Sequence, residues 1–391
     1  MPLVSEEIVS RASLRILVLI HEYPPVGGGG GAAARDICRG LARRGHHVTV
    51  LTVHFRGLAY REQDQGVEVL RIPTLRQQPY RASLLEMSLF VLGALWAGYR
   101  LIREQKPDVL HAHFAVPAGA AAWLLWRLTG IPYLLTAHLG DVPGGVPEKT
   151  AGWFRWIKPF TLPIWHNAAQ VIAVSRFTRD LAQQSYPVPI QVIPNGVPLA
   201  ALAPAEIVLH HPRRIVFAGR LVEQKNPLQV LRTLATLRDL PWECVMLGDG
   251  ALRERVWAEI ERLELKDRVR LLGWATPERV LEEFRQSDVL FMPSRSEGLP
   301  VVGVQALACG LALVVGRAGG FVELVDGNGS LHDADDTKGM AAGLRWLLSD
   351  ADALLAARRR SLELAQAFDL EHVIVAYEKT LLALANPSLS Q

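Results

Sequence analysis

Short apolar runs alternate along the chain with segments whose apolar residues recur at helical spacing. Arg15–Ile20 has the pattern of a buried strand, Ala34, Ile37 and Leu41 mark one face of a helix, and His47–Val53 has the pattern of the next strand. Further strand candidates of this first series are Asp108–His111, Tyr133–Thr136 and Gln170–Val174. This alternation predicts an α/β fold with a parallel sheet covered by helices on both faces.

A second series of the same kind fills the other half of the chain. Its strand candidates are Arg214–Ala218, Glu243–Leu247, Val269–Leu272, Val289–Met292 and Leu311–Val315. Ile193–Pro198 and the Pro/Ala-rich stretch up to Pro212 separate the two series and have the composition of a linker. We therefore expect two Rossmann-like domains, residues 1–200 and 201–370.

Composition narrows the class of protein. The chain has 391 residues, half of them hydrophobic, and 42 basic against 39 acidic residues, a balance too even to argue for a nucleic-acid partner, and none is expected. Cys38, Cys244 and Cys309 lie far apart, so we expect buried thiols in a reducing compartment. Met1–Ser13 has no apolar signal core, and the apolar run Leu84–Tyr99 is interrupted by a glutamate and is shorter than a span of about 20 residues. These features predict a cytoplasmic protein, with an amphipathic helix at Leu84–Tyr99.

The most informative segment is the loop and helix that follow the strand candidate Val289–Met292. Val301, Val304 and Ala308 recur at helical spacing, so Glu297 and Gly298 should lie in a loop at the mouth of a helix that carries Gln305. A helix N-terminus offers free N–H groups and a partial positive charge, which suit a diphosphate. Glutamate and glutamine oxygens accept hydrogen bonds from sugar hydroxyls. The segment therefore predicts a nucleotide-sugar site.

Three other segments carry candidate chemistry. The glycine-rich loop Pro24–Gly31 is suited to phosphate, although a dinucleotide fingerprint is an alternative weakened by the six residues that separate strand and glycines. His138 follows a predicted strand, where functional loops gather. Arg220 and Lys225 follow the first strand of the second series, where two fixed cations can stabilise a leaving diphosphate, although an isolated pair of cations is more often a solvated surface.

Together these segments resemble the signature motifs of the family-4 retaining glycosyltransferases. The matches are Glu297 with Gln305 for a Glu-seven residues-Glu pattern, Gly28-Gly29 for a Pro-Pro…Gly-Gly loop, Thr136–His138 for Thr-x-His, and Gly219–Lys225 for Gly-Arg-Leu…Lys-Gly. The resemblance implies the GT-B fold, in which two Rossmann-like domains with parallel sheets face a central cleft and the last residues, 371–391, cross back onto the first domain. It also implies acceptor binding by the first domain and nucleotide-sugar binding by the second.

The resemblance further implies a role for each matched residue. Arg220 and Lys225 would hold the diphosphate, Glu297 the transferred sugar, and His138 would face the reacting centre. Nucleotide contacts would come from Gly28, Gly29, Gly298, Leu299 and Gln305. No cofactor and no metal are expected beside the nucleotide sugar, for which UDP is favoured as the commoner carrier in the family. The implied reaction is hexosyl transfer to a hydroxyl of a glycan or lipid-linked acceptor in cell-envelope polysaccharide or glycoconjugate synthesis.

Gln305 departs from the family pattern and keeps alternatives open. A neutral acceptor should weaken ribose binding by about 1–2 kcal/mol relative to glutamate. The alternatives are a nucleotide-sugar epimerase of the same fold and a non-catalytic nucleotide-sugar-binding homologue, with a Rossmann oxidoreductase as the least favoured. Asp333-Ala334-Asp335 resembles a metal motif, but its place before a predicted helix favours helix capping.

Basic and aromatic residues of the first domain suggest a membrane-bound acceptor. Trp153–Phe160 mixes aromatic residues with cations. More of both kinds occur at Arg76, Arg81, Arg100, Arg103, Trp123, Trp126 and Arg127. Such surfaces dock at membrane interfaces or hold sugar rings, and ordinary core aromatics with solvated charges are an equal alternative. We hypothesise peripheral contact at the inner face of the membrane.

Overall fold

The computed structural model describes residues 13–78, 82–146 and 154–386, with the backbone alone for 154–156. These residues form two compact units. Unit 1 comprises the described parts of 1–136, 158–171 and 374–391, and unit 2 those of 137–157 and 172–373. Residues 137–157 and 172–200 thus cluster with the second half of the chain.

Fourteen strands are found in the described part of the chain. They are β1 (Arg15–Leu19), β2 (His47–Val53), β3 (Arg61–Asp64), β4 (Val67–Ile72), β5 (Val109–His113), β6 (Tyr133–Ala137), β7 (Gln170–Ala173), β8 (Ile190–Val192), β9 (Arg213–Ala218), β10 (Trp242–Leu247), β11 (Val269–Gly273), β12 (Val289–Met292), β13 (Ala312–Gly316) and β14 (Gly329–His332). One sheet has the order β3-β4-β2-β1-β5-β6-β7-β8 and the other β11-β10-β9-β12-β13-β14. The predicted α/β class is therefore confirmed.

Helices connect most of these strands. The α-helices span Gly29–Arg43, Leu84–Gln105, Ala120–Thr129, Phe154–His166, Arg176–Gln183, Leu199–Leu202, Pro227–Ala235, Arg253–Arg262, Pro277–Arg285, Val301–Ala308, Thr337–Ser349, Ala351–Ala365 and Leu370–Ala385. The helix Leu84–Gln105 begins with a capping box in which Ser83 and Glu86 satisfy each other's backbone N–H groups. It has 22 residues, so the expectation that this segment is too short for a membrane span was wrong.

All five strand pairs of the second sheet are parallel. Its central strands are largely apolar and buried, as for Val289–Met292, because helices cover both faces, whereas the edge strands β11 and β14 are only partly buried. In the first sheet the pairs from β4 to β6 are parallel, whereas β3 runs antiparallel to β4 at the edge. The expected strands are all present, and the sequence analysis missed β3, β4, β8 and β14.

The last helix contributes polar groups to the interior of unit 1. The buried carboxylate of Glu378 lies 3.0 Å from Nε2 of His46 and 2.8 Å from the guanidinium of Arg44. The backbone N–H of Leu14 donates to Nδ1 of the same histidine, 3.1 Å away, so its Nε2 is the nitrogen that carries the proton toward Glu378. These bonds fix the C-terminal half of Leu370–Ala385 within unit 1.

Candidate functional site

The candidate site of unit 2 lies at the centre of the six-stranded parallel sheet. β9 and β12 are neighbours there, although β10 and β11 come between them in the chain and lie on the other side of β9. The strand order therefore reverses between β9 and β12. In open parallel sheets ligands bind beyond the carboxyl ends of the strands at such a switch point. The loops that leave β9 and β12 contain Lys225 and Glu297.

Lys225 and Glu297 form an ion pair between these loops. The Nζ atom of Lys225 lies 2.5 Å from Oε1 of Glu297, and the two side chains are only 14% and 7% exposed. Neither charge would stay so far from water without a partner, because burial of an unpaired charge is costly. The sequence analysis expected both residues at one site, and the structure brings them into direct contact.

Gln224 binds the two loops together beside this ion pair. Its carbonyl oxygen accepts from the backbone N–H of Arg295 at 2.8 Å, and its Nε2 donates to the carbonyl of Ser296, also at 2.8 Å. The sequence analysis overlooked this residue because its two partners lie some seventy positions away. The amide thus fixes the register of one loop against the other.

The loop after β9 rests on the loop after β10. The N–H of Leu221 donates to the carbonyl of Asp249 at 3.0 Å, and Gly248 has φ of +139°. A Cβ atom at Gly248 would lie 1.9 Å from the carbonyl oxygen of Gly219, so only glycine allows this approach. Arg220 is exposed, and its side chain has no hydrogen-bond or ion-pair partner among the described residues. Its charge is therefore available to a ligand.

The loop after β12 leads into the helix Val301–Ala308. No side chain caps the N-terminus of that helix, so its first N–H groups can meet an anion. The carbonyl of Leu299, a buried residue, accepts from Nδ2 of Asn195 at 3.1 Å. Gln305 is half-buried in the second helical turn, and its side chain makes no hydrogen bond to another described residue.

His138 lies beside the Glu297 loop. It follows β6, is buried, and its backbone N–H donates to Oδ2 of Asp141 at 2.8 Å. The next residue, Leu139, would be 3.2 Å from a Cβ atom placed on Gly298. The turn that carries His138 is therefore in contact with the loop that carries Glu297. The carboxylate of Asp141 fixes this turn, and the sequence analysis did not single this residue out.

Gly28 and Gly29 belong to unit 1. The glycine-rich loop expected at Pro24–Gly31 is shorter in the structure, because its last residues are already helical. The helix begins at Gly29, with Gly28 as its uncapped N-terminal residue. A Cβ atom at Gly31 would lie 2.3 Å from the carbonyl oxygen of Glu22, so that glycine serves close packing of the backbone. Gly28 and Gly29 are exposed at the helix N-terminus, which keeps phosphate binding as their predicted role.

The prediction that Asp333-Ala334-Asp335 caps the following helix was wrong. The residue that caps the helix Thr337–Ser349 is Asp336, whose Oδ1 accepts from the N–H of Gly339 at 2.9 Å. Asp335 instead makes a bidentate ion pair with Arg295, with distances of 2.7 and 2.6 Å. This hydrogen bonding lowers the pKa of the Asp335 carboxyl. In the described ranges no group of three or more potential ligands is placed to hold a metal ion.

Two family models match the chain along most of its length. Glycosyltransferase Family 4 matches residues 27–201, and Glycosyl transferases group 1 matches residues 205–363. The chain belongs to the family-4 glycosyltransferases. This confirms the family that the motifs indicated, and the Lys225–Glu297 site of this glycosyltransferase lies within the second match.

Known proteins resemble this glycosyltransferase over most of their length. The UDP-Gal:α-D-GlcNAc-diphosphoundecaprenol α-1,3-galactosyltransferase of Escherichia coli is 28% identical over 66% of this chain and 68% of its own. Sucrose-phosphate synthase from Thermosynechococcus elongatus has a TM-score of 0.84 at 20% identity, over 95% and 99% of the two chains. HepE of Anabaena, solved in complex with UDP-glucose, has a TM-score of 0.75 at 18% identity, over 95% and 100%. The expected GT-B fold is thereby confirmed.

Proposed function

We propose that this glycosyltransferase moves a hexosyl group from a UDP-sugar, with retention of configuration, to a hydroxyl of a lipid-linked or glycan acceptor. The observation that supports the proposal most is the Lys225–Glu297 pair at the switch point. The guanidinium of Arg220, which has no partner among the described residues, lies on the same loop as Lys225. UDP is the nucleotide named for both the Escherichia coli relative and the Anabaena structure. Adjacent loops of unit 2, with the helix that follows the second loop, carry groups that are complementary to a diphosphate, a sugar and a ribose.

Each group has a chemical task in this proposal. When the bond between the sugar C1 and the phosphate oxygen breaks, negative charge develops on the diphosphate. Arg220 and Lys225 stabilise that charge, a contribution worth about 3–4 kcal/mol for each well-placed donor by analogy with oxyanion-hole residues. Because two fixed cations supply this stabilisation, we expect no metal requirement, and activity that is lost with a chelator and restored by a divalent ion would overturn that expectation.

The proposed route to retention needs no nucleophile from the protein. The acceptor hydroxyl oxygen bonds to C1 on the face from which the diphosphate departs, and the departing phosphate oxygen takes the hydroxyl proton. Glu297 accepts hydrogen bonds from the sugar hydroxyls, and His138 faces the reacting centre. A product whose new linkage has the inverted anomeric configuration in its proton NMR spectrum would disprove retention.

Nucleotide release from a panel of UDP-, GDP- and ADP-sugars tests the proposed activity. We expect slow release from one UDP-sugar, lost on Lys225→Ala and on Glu297→Ala. Lys266→Ala is a matched control, because Lys266 pairs with Glu261 on the surface of the same unit, with both side chains about 60% exposed. Conversion of the donor to its epimer without nucleotide release would favour an epimerase instead.

A membrane-associated acceptor is supported by one face of the helix Leu84–Gln105. This is the one helix in the described ranges that is long and apolar enough to cross a membrane, by length and composition. Phe90 and Ala94 on one side are buried in unit 1, whereas Leu85, Leu92 and Trp96 on the opposite side are 63–71% exposed. A helix with one packed and one apolar exposed face suits the plane of a membrane interface better than a span.

The expected basic residues fit this surface only in part. Arg103 continues the exposed stripe at the end of the helix, and Arg127 is exposed beside Leu128 on the neighbouring helix Ala120–Thr129. Arg76 is buried, so it is not part of the surface. Arg81 and Trp153 lie outside the described residues. The proposed contact at the cytoplasmic face of a membrane therefore rests on the apolar stripe first and on two arginines second.

Vesicle sedimentation tests the membrane proposal. We expect the protein to bind vesicles of phosphatidylglycerol and phosphatidylethanolamine at low salt, and Leu92→Glu with Trp96→Glu to abolish binding. Trp346→Glu is the control, because Trp346 is 46% exposed on a helix of unit 2. Equal sedimentation of the double variant and the control would refute a role for this face.

A further inference from the structure

The turn that follows β14 contacts both loops of the candidate site. It contains Asp335, which lies forty residues beyond Arg295 in the chain and more than a hundred beyond Asn226. Asp336, not Asp335, caps the helix that follows. The Asp335 carboxylate is therefore not needed to begin that helix, and its contacts require another explanation.

The first contact reaches the Glu297 loop. Both guanidinium nitrogens at the end of Arg295 donate to the two oxygens of Asp335, at 2.7 and 2.6 Å. Arg295 precedes Glu297 by two residues, and its own N–H is bonded to the carbonyl of Gln224. A bidentate pair fixes orientation as well as distance, since the planar guanidinium matches the carboxylate plane. Asp335 thus fixes the position of Arg295, two residues before the Glu297 carboxylate in the same loop.

The second contact reaches the Lys225 loop. Asn226, buried and directly after Lys225, has φ of +53°, a left-handed conformation that asparagine tolerates. Its side chain does not cap the helix Pro227–Ala235. Instead its Nδ2 donates to the carbonyl of Ala334 at 2.8 Å, with Oδ1 of Asp335 at 3.5 Å. The same turn therefore holds the residue next to Lys225.

We propose that Asp335 is a positioning residue for the Lys225–Glu297 pair, acting through Arg295 and Asn226. The turn 333–336 contacts each of the two loops, and Gln224 joins them to each other directly. Their combined effect is to keep the ammonium and the carboxylate in contact before a donor arrives. The catalytic consequence rests on the proposed function, whereas the effect on the ion pair does not.

Acetylation of lysines in the folded protein tests the effect on the ion pair without any substrate. Lys225 is 14% exposed and ion-paired, so we expect slow labelling, while Lys266, 61% exposed, serves as the internal reference. Asp335→Asn should raise the labelling rate of Lys225 relative to that of Lys266 about fivefold. This factor corresponds to the free energy that an exposed ion pair of good geometry contributes. Asp335→Glu, which restores the carboxylate, should return the ratio to within about twofold of the wild type.

A matched control is present in the same turn. Asp333 is exposed, and its side chain makes no hydrogen bond or ion pair with a residue in the described ranges, so Asp333→Asn makes the same charge change without touching Arg295. It should leave the labelling ratio unchanged. A merely structural role would lower the melting temperature but would not change the relative reactivity of Lys225 well below that temperature.

The kinetic test separates the two proposals. With the donor found in the panel above, Asp335→Asn should lower kcat about fivefold and change the donor KM less, because the pair must be in place in the transition state. If the wild type releases nucleotide from no donor, the proposed function fails while the labelling ratio still decides the role of Asp335. If Lys225 labels at the wild-type ratio in Asp335→Asn, the positioning role is wrong.

Discussion

Removal of the ammonium of Lys225 should destabilise the protein through the charge that it leaves behind. In Lys225→Met the Glu297 carboxylate, 7% exposed, loses the partner that lies 2.5 Å away. Breaking a buried ion pair by removing one partner costs about 3–5 kcal/mol, and because Lys225 retains some exposure we expect about 3 kcal/mol here. The control Lys266→Met breaks a surface pair and should cost less than about 1 kcal/mol.

A second substitution tests the same reasoning through the direction of the change in stability, whatever the size of that change. Glu297→Gln removes the unpaired charge in the Lys225→Met background, so the double variant should be more stable than Lys225→Met alone. Urea unfolding followed by the fluorescence of a label placed in unit 2 measures all four proteins of this cycle. A double variant that is less stable than Lys225→Met would refute the view that an unpaired buried charge is the cause of the loss.

Three further substitutions follow from the site and its supports. Gln305→Glu should lower the donor KM about fivefold to thirtyfold, the difference between a neutral and a charged acceptor, with kcat little changed, and an unchanged KM in steady-state kinetics would contradict a ribose contact. Gly248→Ala should destabilise unit 2 by at least about 1–3 kcal/mol in urea unfolding, because its φ of +139° and the carbonyl of Gly219 leave no room for a methyl group. Arg358→Met should cost about 1.5–3 kcal/mol in the same assay, because the fully buried carboxylate of Asp288 loses its charge-assisted contact at 2.6 Å but keeps the hydrogen bonds from the backbone N–H groups of His210 and Arg214, and an unchanged free energy of unfolding would contradict a stabilising contact.

The fold was largely predictable because most strands are buried on both faces. Val289–Met292 and the other central strands are continuous apolar runs, which distinguishes them from the amphipathic helices around them. The four missed strands lack that continuous run. In β4 the buried apolar residues are interrupted by Glu68 and Arg71. β3 is the polar run Arg61–Asp64 at a sheet edge, β8 has three residues, and β14 begins with Gly329 and Ser330. Their strand character comes from the neighbour that they pair with.

The site was predictable only where a motif is local. Glu297, Lys225 and Arg220 stand in recognisable loops after strands, so their place at one sheet edge follows from the order of the strands. Asp335 could not be found in this way, because its partner Arg295 is forty residues away and its neighbour Asp336 takes the capping role. The function of a carboxylate in that turn depends on a tertiary contact, which a single sequence does not contain.

The most direct test of the central claim is calorimetric titration of UDP into wild type, Arg220→Ala and Arg238→Ala. Arg220 is exposed and has no side-chain partner within the described ranges, so its removal should leave stability unchanged. We predict that UDP binds the wild type and Arg238→Ala equally, and binds Arg220→Ala at least about tenfold more weakly, since a charge-assisted hydrogen bond contributes about 1.5–3 kcal/mol. Equal affinity of all three proteins, or no binding of UDP to any, would contradict a diphosphate site at the switch point of β9 and β12.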